Sequence, residues 1–251
     1  MKKMYRIGCL VSILLLLNVV GTALADTLWY NGDFDYSGYS ISNHHEYYDF
    51  GGGSYFQSDS LVYDDFVVPA GEEWTVNSVW SNNLFTDGVS FLGATYEIRS
   101  GVSAENGGTV VASGSGTASL IATGRTSSSG NIEYEVRISG LNINLAPGTY
   151  WLSVCPTIEY NSGYSYNSAT SGANSIGQPP GNNGNSYWYL FEHYGNGSEY
   201  TRNFKDLSSY FGKTTDYSMG IEGAPSSVPI PGAAWLLGSG LLGLVAVRRR
   251  K

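Results

Sequence analysis

The chain has 251 residues, of which only 14% are charged, and its formal net charge is −8. Seven of the 13 basic residues lie in the terminal segments 1–25 and 228–251, so the central part has six bases against all 21 acids, a net charge of −15. We therefore expect no nucleic-acid partner, because neutralising phosphates requires clustered lysine and arginine.

The first 25 residues have the order of a secretory signal peptide. Three basic residues precede an apolar stretch at 7–20, and Ala23 and Ala25 match the small-residue cleavage pattern that follows such a stretch. We expect signal peptidase to cut before Asp26 and the mature protein to lie outside the cytoplasm.

The cysteine count predicts an exported protein without an intramolecular disulfide. Cys9 lies in the leader and would be lost with it, which leaves Cys155 in the apolar run 150–155. We expect Cys155 to be a small apolar strand residue, because a buried thiol in such a run is inert.

The central part alternates apolar and polar residues with the period of two that a half-buried β-strand requires. Tyr134, Val136 and Ile138 show this pattern clearly, since charged residues separate them. Further strands are predicted at 61–68, 74–80, 96–99, 109–112, 119–122, 150–155, 187–191 and 216–221. Turn formers separate these runs, so we predict an all-β fold: a single antiparallel β-sandwich or jelly-roll-like domain over 26–223.

Residues 159–197 differ from the rest of this domain. They are rich in asparagine, serine, glycine and tyrosine, which predicts long loops rather than a second core. Residues 224–227 are predicted to be a linker.

Aromatic residues crowd the loop-rich region and suggest carbohydrate binding. Tyrosine and tryptophan faces stack on sugar rings, while amide and carboxylate groups bind the hydroxyls. The sugar-binding candidates are Tyr164, Tyr166, Tyr187, Trp188 and Tyr189. The alternative is core packing, because alternate aromatics of 187–191 would face inward.

One acidic segment suggests a calcium site. Asp33, Asp35 and Ser37 stand at positions one, three and five of a loop that begins like an EF-hand. The twelfth position is His44 instead of a bidentate glutamate, so an ordinary polar turn is the alternative reading. Calcium is the only cofactor that the sequence suggests.

No catalytic residue is assigned, and we expect the protein not to be an enzyme. The chain has no Gly-x-Ser-x-Gly elbow, His-Glu-x-x-His motif, phosphate loop or Cys-x-x-Cys pair. Glycoside hydrolysis needs only two carboxylates, and the nominated acids are Asp64, Asp65, Glu133, Glu135 and Glu192. Adjacent Asp64 and Asp65 would point to opposite faces of a strand.

The C-terminal 24 residues, 228–251, form a three-part signal. The first part is a Pro-x-Pro motif formed by Val228, Pro229, Ile230, Pro231 and Gly232. An uncharged run at 233–247 follows, which as a helix would be about 22 Å long and a marginal span of a bilayer core of about 30 Å. The last part is a cationic membrane stop formed by Arg248, Arg249, Arg250 and Lys251.

In this order the three parts resemble the sorting signal of the PEP-CTERM family, whose members are processed by membrane enzymes called exosortases. Ile230 occupies the position of the glutamate for which that family is named. The resemblance implies cleavage near 229–231 and delivery to the surface of a Gram-negative-type bacterium, often one that makes exopolysaccharide.

Together these features predict a non-enzymatic protein of the cell envelope or extracellular matrix, associated with the polysaccharide of a biofilm. Signal peptidase and an exosortase are the expected processing partners. The tail helix would hold the chain in the inner membrane until processing sends it to the cell surface or the medium. Two alternatives stay open: a carbohydrate-active enzyme of the glycoside hydrolase kind, and a permanently anchored single-pass surface protein.

Overall fold

The computed structural model describes residues 26–35, 40–179 and 183–227. Within them the chain forms sixteen strands and one short helix. Outside the described residues lie the predicted leader with Ala23 and Ala25, the calcium candidate Ser37, the sorting motif 228–232, the tail helix 233–247 and the terminal cations 248–251.

The elements follow one another along the chain with short connections. Their bounds are β1 Asp26–Tyr30, β2 Ile41–Ser42, β3 His44–Gly51, β4 Ser54–Val68, β5 Glu72–Phe85, β6 Phe91–Ser100, β7 Thr109–Ser115, β8 Thr117–Thr126, β9 Ile132–Leu145, β10 Gly148–Ile158, β11 Ser165–Asn167, β12 Ala169–Thr170, β13 Tyr187–His193, β14 Glu199–Asp206, α1 Leu207–Phe211, β15 Asp216–Tyr217 and β16 Met219–Ser227.

Two seven-stranded sheets face each other. In the first sheet β5 is central. One side of β5 pairs with β16 and β11, which in turn pair with β1 and β2 respectively. The other side of β5 pairs with β9, and β9 pairs with β8. The second has the order β14, β13, β4, β3, β10, β6, β7. The strand pairs are antiparallel apart from one parallel contact between β10 and β3. The predicted all-β antiparallel fold is confirmed.

The core lies between the sheets and follows from the alternation of the strands. On β9, Val136 and Ile138 are fully buried, whereas Glu135 and Arg137 stay partly exposed. On β4 and β10, Phe66 and Leu152 are fully buried in the same cluster. Burying a large apolar side chain contributes about 1.5–3 kcal/mol, so these facing residues hold the sheets together.

A polar network also crosses the core. Asn43, Asn83 and Asn167 are each 0% exposed and come from the β2–β3 junction, β5 and β11. The Asn43 amide donates to Asn83 Oδ1 at 2.9 Å and to the Val154 carbonyl at 2.9 Å, and the Asn167 amide donates to the Asn82 carbonyl at 3.2 Å. Buried amides that bond one another in this way favour one register between strands, because a slipped register would leave them unpaired.

Both ends of the described chain meet at one end of the sandwich. β4 runs from its hairpin with β3 at residues 51–53 to the turn at 69–71, and β5 returns from that turn. β16 pairs with β5 until Ser227 lies opposite Glu72, and β1 starts with Asp26 opposite Gly223. We call the pole that contains residues 69–71 and 227 the exit end.

Two predictions about irregular segments need correction. Residues 224–227 do not form a linker, since they complete β16 and pair with the start of β5 as far as Glu72. The stretch 159–197 contains the short strands β11 and β12 in addition to the strand predicted at 187–191, which is β13 of the second sheet. Small residues and proline locally predict loops. Here such segments form strands because they pair with the edge of a neighbouring strand, as 224–227 and β11 do with β5.

Cys155 is the buried strand residue that the sequence predicts. The thiol lies in β10, is unpaired and is 1% exposed, and burial raises its pKa well above the usual value. A thiol that stays protonated is a poor nucleophile.

Candidate functional site

Three adjacent strands of the second sheet present polar and aromatic side chains on one face. β3 pairs with β4, and β4 pairs with β13, so that Glu46 and Glu192 both lie opposite Ser58. Side chains two residues apart share a face of a strand, and this face therefore continues through Tyr48 on β3 and Phe56 on β4.

The turn that follows β10 covers this face. Its Ser162 N–H donates to the Glu159 carbonyl at 3.1 Å, and Tyr164 is held against the end of β5 by the Thr86 N–H, which donates to its carbonyl at 3.0 Å. Gly163 allows the close approach: its φ is +145°, and a Cβ there would lie 2.6 Å from Thr86 Oγ1. The turn forms the wall of a groove.

This aromatic groove has a volume of about 520 Å³. Its floor is the face of β3, β4 and β13 described above, and its wall is the turn at 160–164. The lining residues are Ser42, His44, Glu46, Phe56, Ser58, Tyr160, Asn161, Ser162, Gly163, Tyr164, Trp188, Leu190, Glu192 and Tyr194.

Stacked rings form the rim of the groove. Tyr48 stacks on Tyr160 with ring centroids 4.9 Å apart, and Phe56 contacts Tyr160 at 5.1 Å and Tyr194 at 5.9 Å. Large parts of the rim remain in contact with solvent, since Tyr48 is 46% and Phe50 52% exposed. Exposed aromatic side chains that are grouped in this way make the groove a candidate binding site.

The floor is acidic. Glu46 is 6% exposed, and burial raises its pKa, with the charge of Glu192 acting in the same direction and a backbone hydrogen bond from Asn161 acting against it. Its basic neighbour His44 has Nε2 at 3.5 Å from Glu46 Oε1, and burial lowers the pKa of this histidine. Glu192 accepts a hydrogen bond of 2.9 Å from the Tyr194 hydroxyl.

The predicted sugar-binding residues do not lie together, because they are on different faces of the second sheet and in different depressions. Tyr164 and Trp188 line the aromatic groove. Tyr187 and Tyr189 point to the opposite face, where they pack against a cluster that contains Phe204. Tyr166 lies beside Tyr164 at 6.1 Å between ring centroids but lines a different depression with Ser40 and Leu84.

Of the acids nominated for hydrolysis, Glu192 alone lines the groove. Glu133 and Glu135 form ion pairs with Arg125 and Arg137. Asp64 and Asp65 are buried and serve different networks: Asp64 accepts from Asn31 and the Tyr217 N–H, and Asp65 accepts from Asn183 and Asn185.

Sequence reasoning missed Glu46. The signal that could have found it is the alternation of His44, Glu46 and Tyr48, which places three functional side chains on one face of an extended segment. The rim residues Phe56 and Tyr194 follow the same rule in β4 and directly after β13.

The calcium candidates Asp33 and Asp35 are engaged by separate donors. Asp33 accepts hydrogen bonds from the Tyr30 hydroxyl at 2.6 Å, Arg125 Nη1 at 3.0 Å and Asn174 Nδ2 at 2.7 Å. Asp35 accepts from the backbone and hydroxyl of Ser171. Within the described ranges no three histidine, cysteine, aspartate or glutamate side chains are grouped so that they could hold a metal ion. The calcium hypothesis stays a prediction.

Among the described residues there is no helix long and apolar enough to cross a membrane. The run 233–247, for which such a helix is predicted, lies outside them.

Comparison with known proteins does not assign the chain to a family. No family model and no curated protein matches it. Among solved structures, the chain is similar to the cysteine protease and lectin-like domains of Cwp84, a surface layer associated protein of Clostridium difficile, with 14% sequence identity and a TM-score of 0.34. The match covers 73% of this chain and 36% of the other, and a similarity this distant indicates nothing about activity.

Proposed function

We propose that this chain is an exported, non-enzymatic polysaccharide-binding protein of the cell envelope, and that the aromatic groove holds the glycan. The observation that carries the proposal is a groove lined by the rings of Phe56, Tyr160 and Tyr194 together with the carboxylates of Glu46 and Glu192. The exposed side chains of Tyr48 and Phe50 extend this aromatic surface, since both rings contact Tyr160. A pyranose ring has an apolar C–H face that packs on an aromatic ring and hydroxyls that donate to carboxylates.

The termini support the place of action. The signal peptide predicted at 1–25 takes the chain out of the cytoplasm, and the sorting signal predicted at 228–251 makes it an exosortase substrate. Retention at the membrane before processing, and release to the cell surface afterwards, would bring the groove to extracellular polysaccharide.

Removing one ring of the rim tests the groove directly. We expect Tyr48→Ala to weaken glycan binding roughly 3- to 10-fold, because an aromatic stacking contact contributes about 0.5–1.5 kcal/mol. Binding is measured as retention of the full-length protein on immobilised polysaccharides, in a detergent without a sugar headgroup so that the detergent does not compete.

Tyr47→Ala is the matched control. Tyr47 is adjacent in β3 and equally exposed, but it points to the other face and contacts Tyr55. Equal losses in the two variants, or no retention of the parent protein on any polysaccharide, would contradict the proposed site.

A second function, glycoside hydrolysis, is favoured by one specific observation. Glu46 and Glu192 face the same groove from β3 and β13, and the pKa of Glu46 is raised by burial. Such hydrolysis uses two carboxyls that face each other across the sugar, and the one that acts as the acid has a raised pKa. Release of reducing ends by the parent protein, abolished in Glu46→Gln and in Glu192→Gln, would establish the enzyme and overturn the non-enzymatic proposal.

Processing of the tail has its own test. We expect the intact mass of the protein from its native envelope to correspond to a chain that begins at Asp26 and ends near residues 229–231. A species that still carries Lys251 would show instead a permanent single-pass anchor.

A further inference from the structure

We propose that the aromatic groove selects glycans that carry free amino groups, such as polymers of glucosamine in which the amine is not acetylated. This inference rests on the proposed function and names the ligand class for the same site.

The first step is the charge of the groove. Its lining contains Glu46 and Glu192 and, among the described residues, neither lysine nor arginine. Its basic residue is His44, whose pKa is lowered by burial. The groove therefore attracts cations and repels anionic polysaccharides such as polyuronates.

The second step is how three other glutamates of the sheets are paired. Glu97, Glu133 and Glu135 are partly or fully buried, and each forms an ion pair with an arginine at 2.5–2.6 Å. In the groove, Glu46 contacts His44 and accepts a backbone hydrogen bond from Asn161, and Glu192 accepts a hydrogen bond from the Tyr194 hydroxyl, so none of these partners is a lysine or arginine. A buried carboxylate that lacks a cation is costly, so a ligand that supplies one gains affinity.

The nearest arginine along this face does not fill that role. Arg202 lies on β14 opposite Leu190, and its guanidinium is 5.5 Å from the ring centroid of Trp188 and 5.6 Å from that of Tyr210. The guanidinium is thus stacked among aromatic rings, and Arg202 is not one of the residues that line the groove.

The third step is spacing. Glu46 and Glu192 lie in one row on either side of Ser58, two strand spacings apart, which places their Cα atoms about 10 Å from each other. A sugar ring fits between two side chains at this separation, and its ammonium group then meets carboxylates while its C–H face meets the rim. A simple alkyl cation would gain the charge contact but not the stacking.

The test compares hexamers of glucosamine, N-acetylglucosamine, glucose and a uronic acid, with hexalysine as an amine that has no sugar ring. Calorimetric titration of the full-length protein is expected to show at least tenfold tighter binding of the glucosamine hexamer than of its N-acetylated counterpart. The uronic acid hexamer should not bind, and added salt should weaken the glucosamine complex.

Two variants show whether the preference for the free amine comes from the groove carboxylates or from the overall negative charge of the protein. Glu46→Gln combined with Glu192→Gln should reduce the preference for the free amine to less than about twofold. Glu73→Gln removes one exposed acid from β5 and should leave it unchanged. A thermal unfolding midpoint equal to that of the parent shows that each variant is folded.

Three results would overturn the inference. Equal affinity for the free and acetylated hexamers would leave the proposed glycan function standing and remove the amine preference. Hexalysine binding as tightly as the glucosamine hexamer would reduce the effect to unspecific charge attraction. If none of the hexamers bound, both the amine preference and the glycan-binding function would be overturned.

Discussion

Asn83→Ala is expected to lower the free energy of unfolding by about 3 kcal/mol, because each buried polar group left without a partner costs about 1–3 kcal/mol. Asn83 Oδ1 accepts from the Asn43 amide, and its own amide donates to the carbonyl of Ser81 at 3.1 Å and to the hydroxyl at 2.7 Å. For a domain of this size the loss corresponds to a fall of roughly 6–12 °C in the unfolding midpoint.

The control is Asn142→Ala, which removes an exposed asparagine from β9 and should change stability by less than about 0.5 kcal/mol. Chemical denaturation at equilibrium measures both variants. If Asn83→Ala lost no more stability than Asn142→Ala, the polar network could not be holding the strands in register.

Acidification towards the unfolded pKa of a carboxyl, about 4, is expected to stabilise the protein. Burial raises the pKa of Asp64, Asp65 and Glu46, and the charges of Asp216 and Asp65 raise that of Asp64 further. A carboxyl with a raised folded-state pKa binds its proton more tightly in the folded state, so stability falls as the pH rises from its unfolded towards its folded pKa. At full slope each such group changes the unfolding free energy by about 1.4 kcal/mol per pH unit.

Two groups act in the opposite direction. Burial lowers the pKa of His44, so the unfolded chain binds this proton more tightly and part of the gain is offset below the unfolded pKa of about 6.5. The pKa of Asp33 is lowered by its hydrogen bonds from Tyr30 and Asn174 and by Arg125, so the stability that it adds is lost only below its unfolded pKa. We therefore expect the thermal midpoint to rise by at least roughly 2–4 °C from pH 8 to pH 5, which corresponds to about 1 kcal/mol.

Two variants identify the group responsible. Asp64→Asn removes the fully buried carboxyl and should flatten the dependence of the midpoint on pH, whatever its effect on absolute stability. Asp87→Asn removes an exposed carboxyl and should leave the slope as in the parent. A midpoint that falls on acidification would contradict the buried, proton-binding state of these carboxyls.

The strands were predictable because alternation is a local property. The pattern at 133–138 depends on neighbouring residues alone, and the structure has β9 there with Val136 and Ile138 in the core. The same rule would have separated Trp188 from Tyr187 and Tyr189, since consecutive side chains of a strand point to opposite faces.

The groove was not predictable in the same way. Glu46 is a buried polar residue, and an apolar–polar pattern treats such a residue as exposed. Its meeting with Glu192 depends on the pairing of both strands with β4 across Ser58, which joins segments about 150 residues apart. The pairing of 224–227 with β5 is equally long-range, and the composition of that segment indicated a linker.

The exit end determines where the groove faces. Phe56 lies near the hairpin end of β4, and Val68 lies twelve residues further on, beside the turn at the exit end, a distance of about 40 Å along the strand. If residue 228 leads to a membrane anchor, the end of β4 that carries Phe56 lies at the opposite pole of the sandwich from that anchor. The protein could then contact a polymer outside the cell while still joined to its anchor, so capture would not have to wait for release.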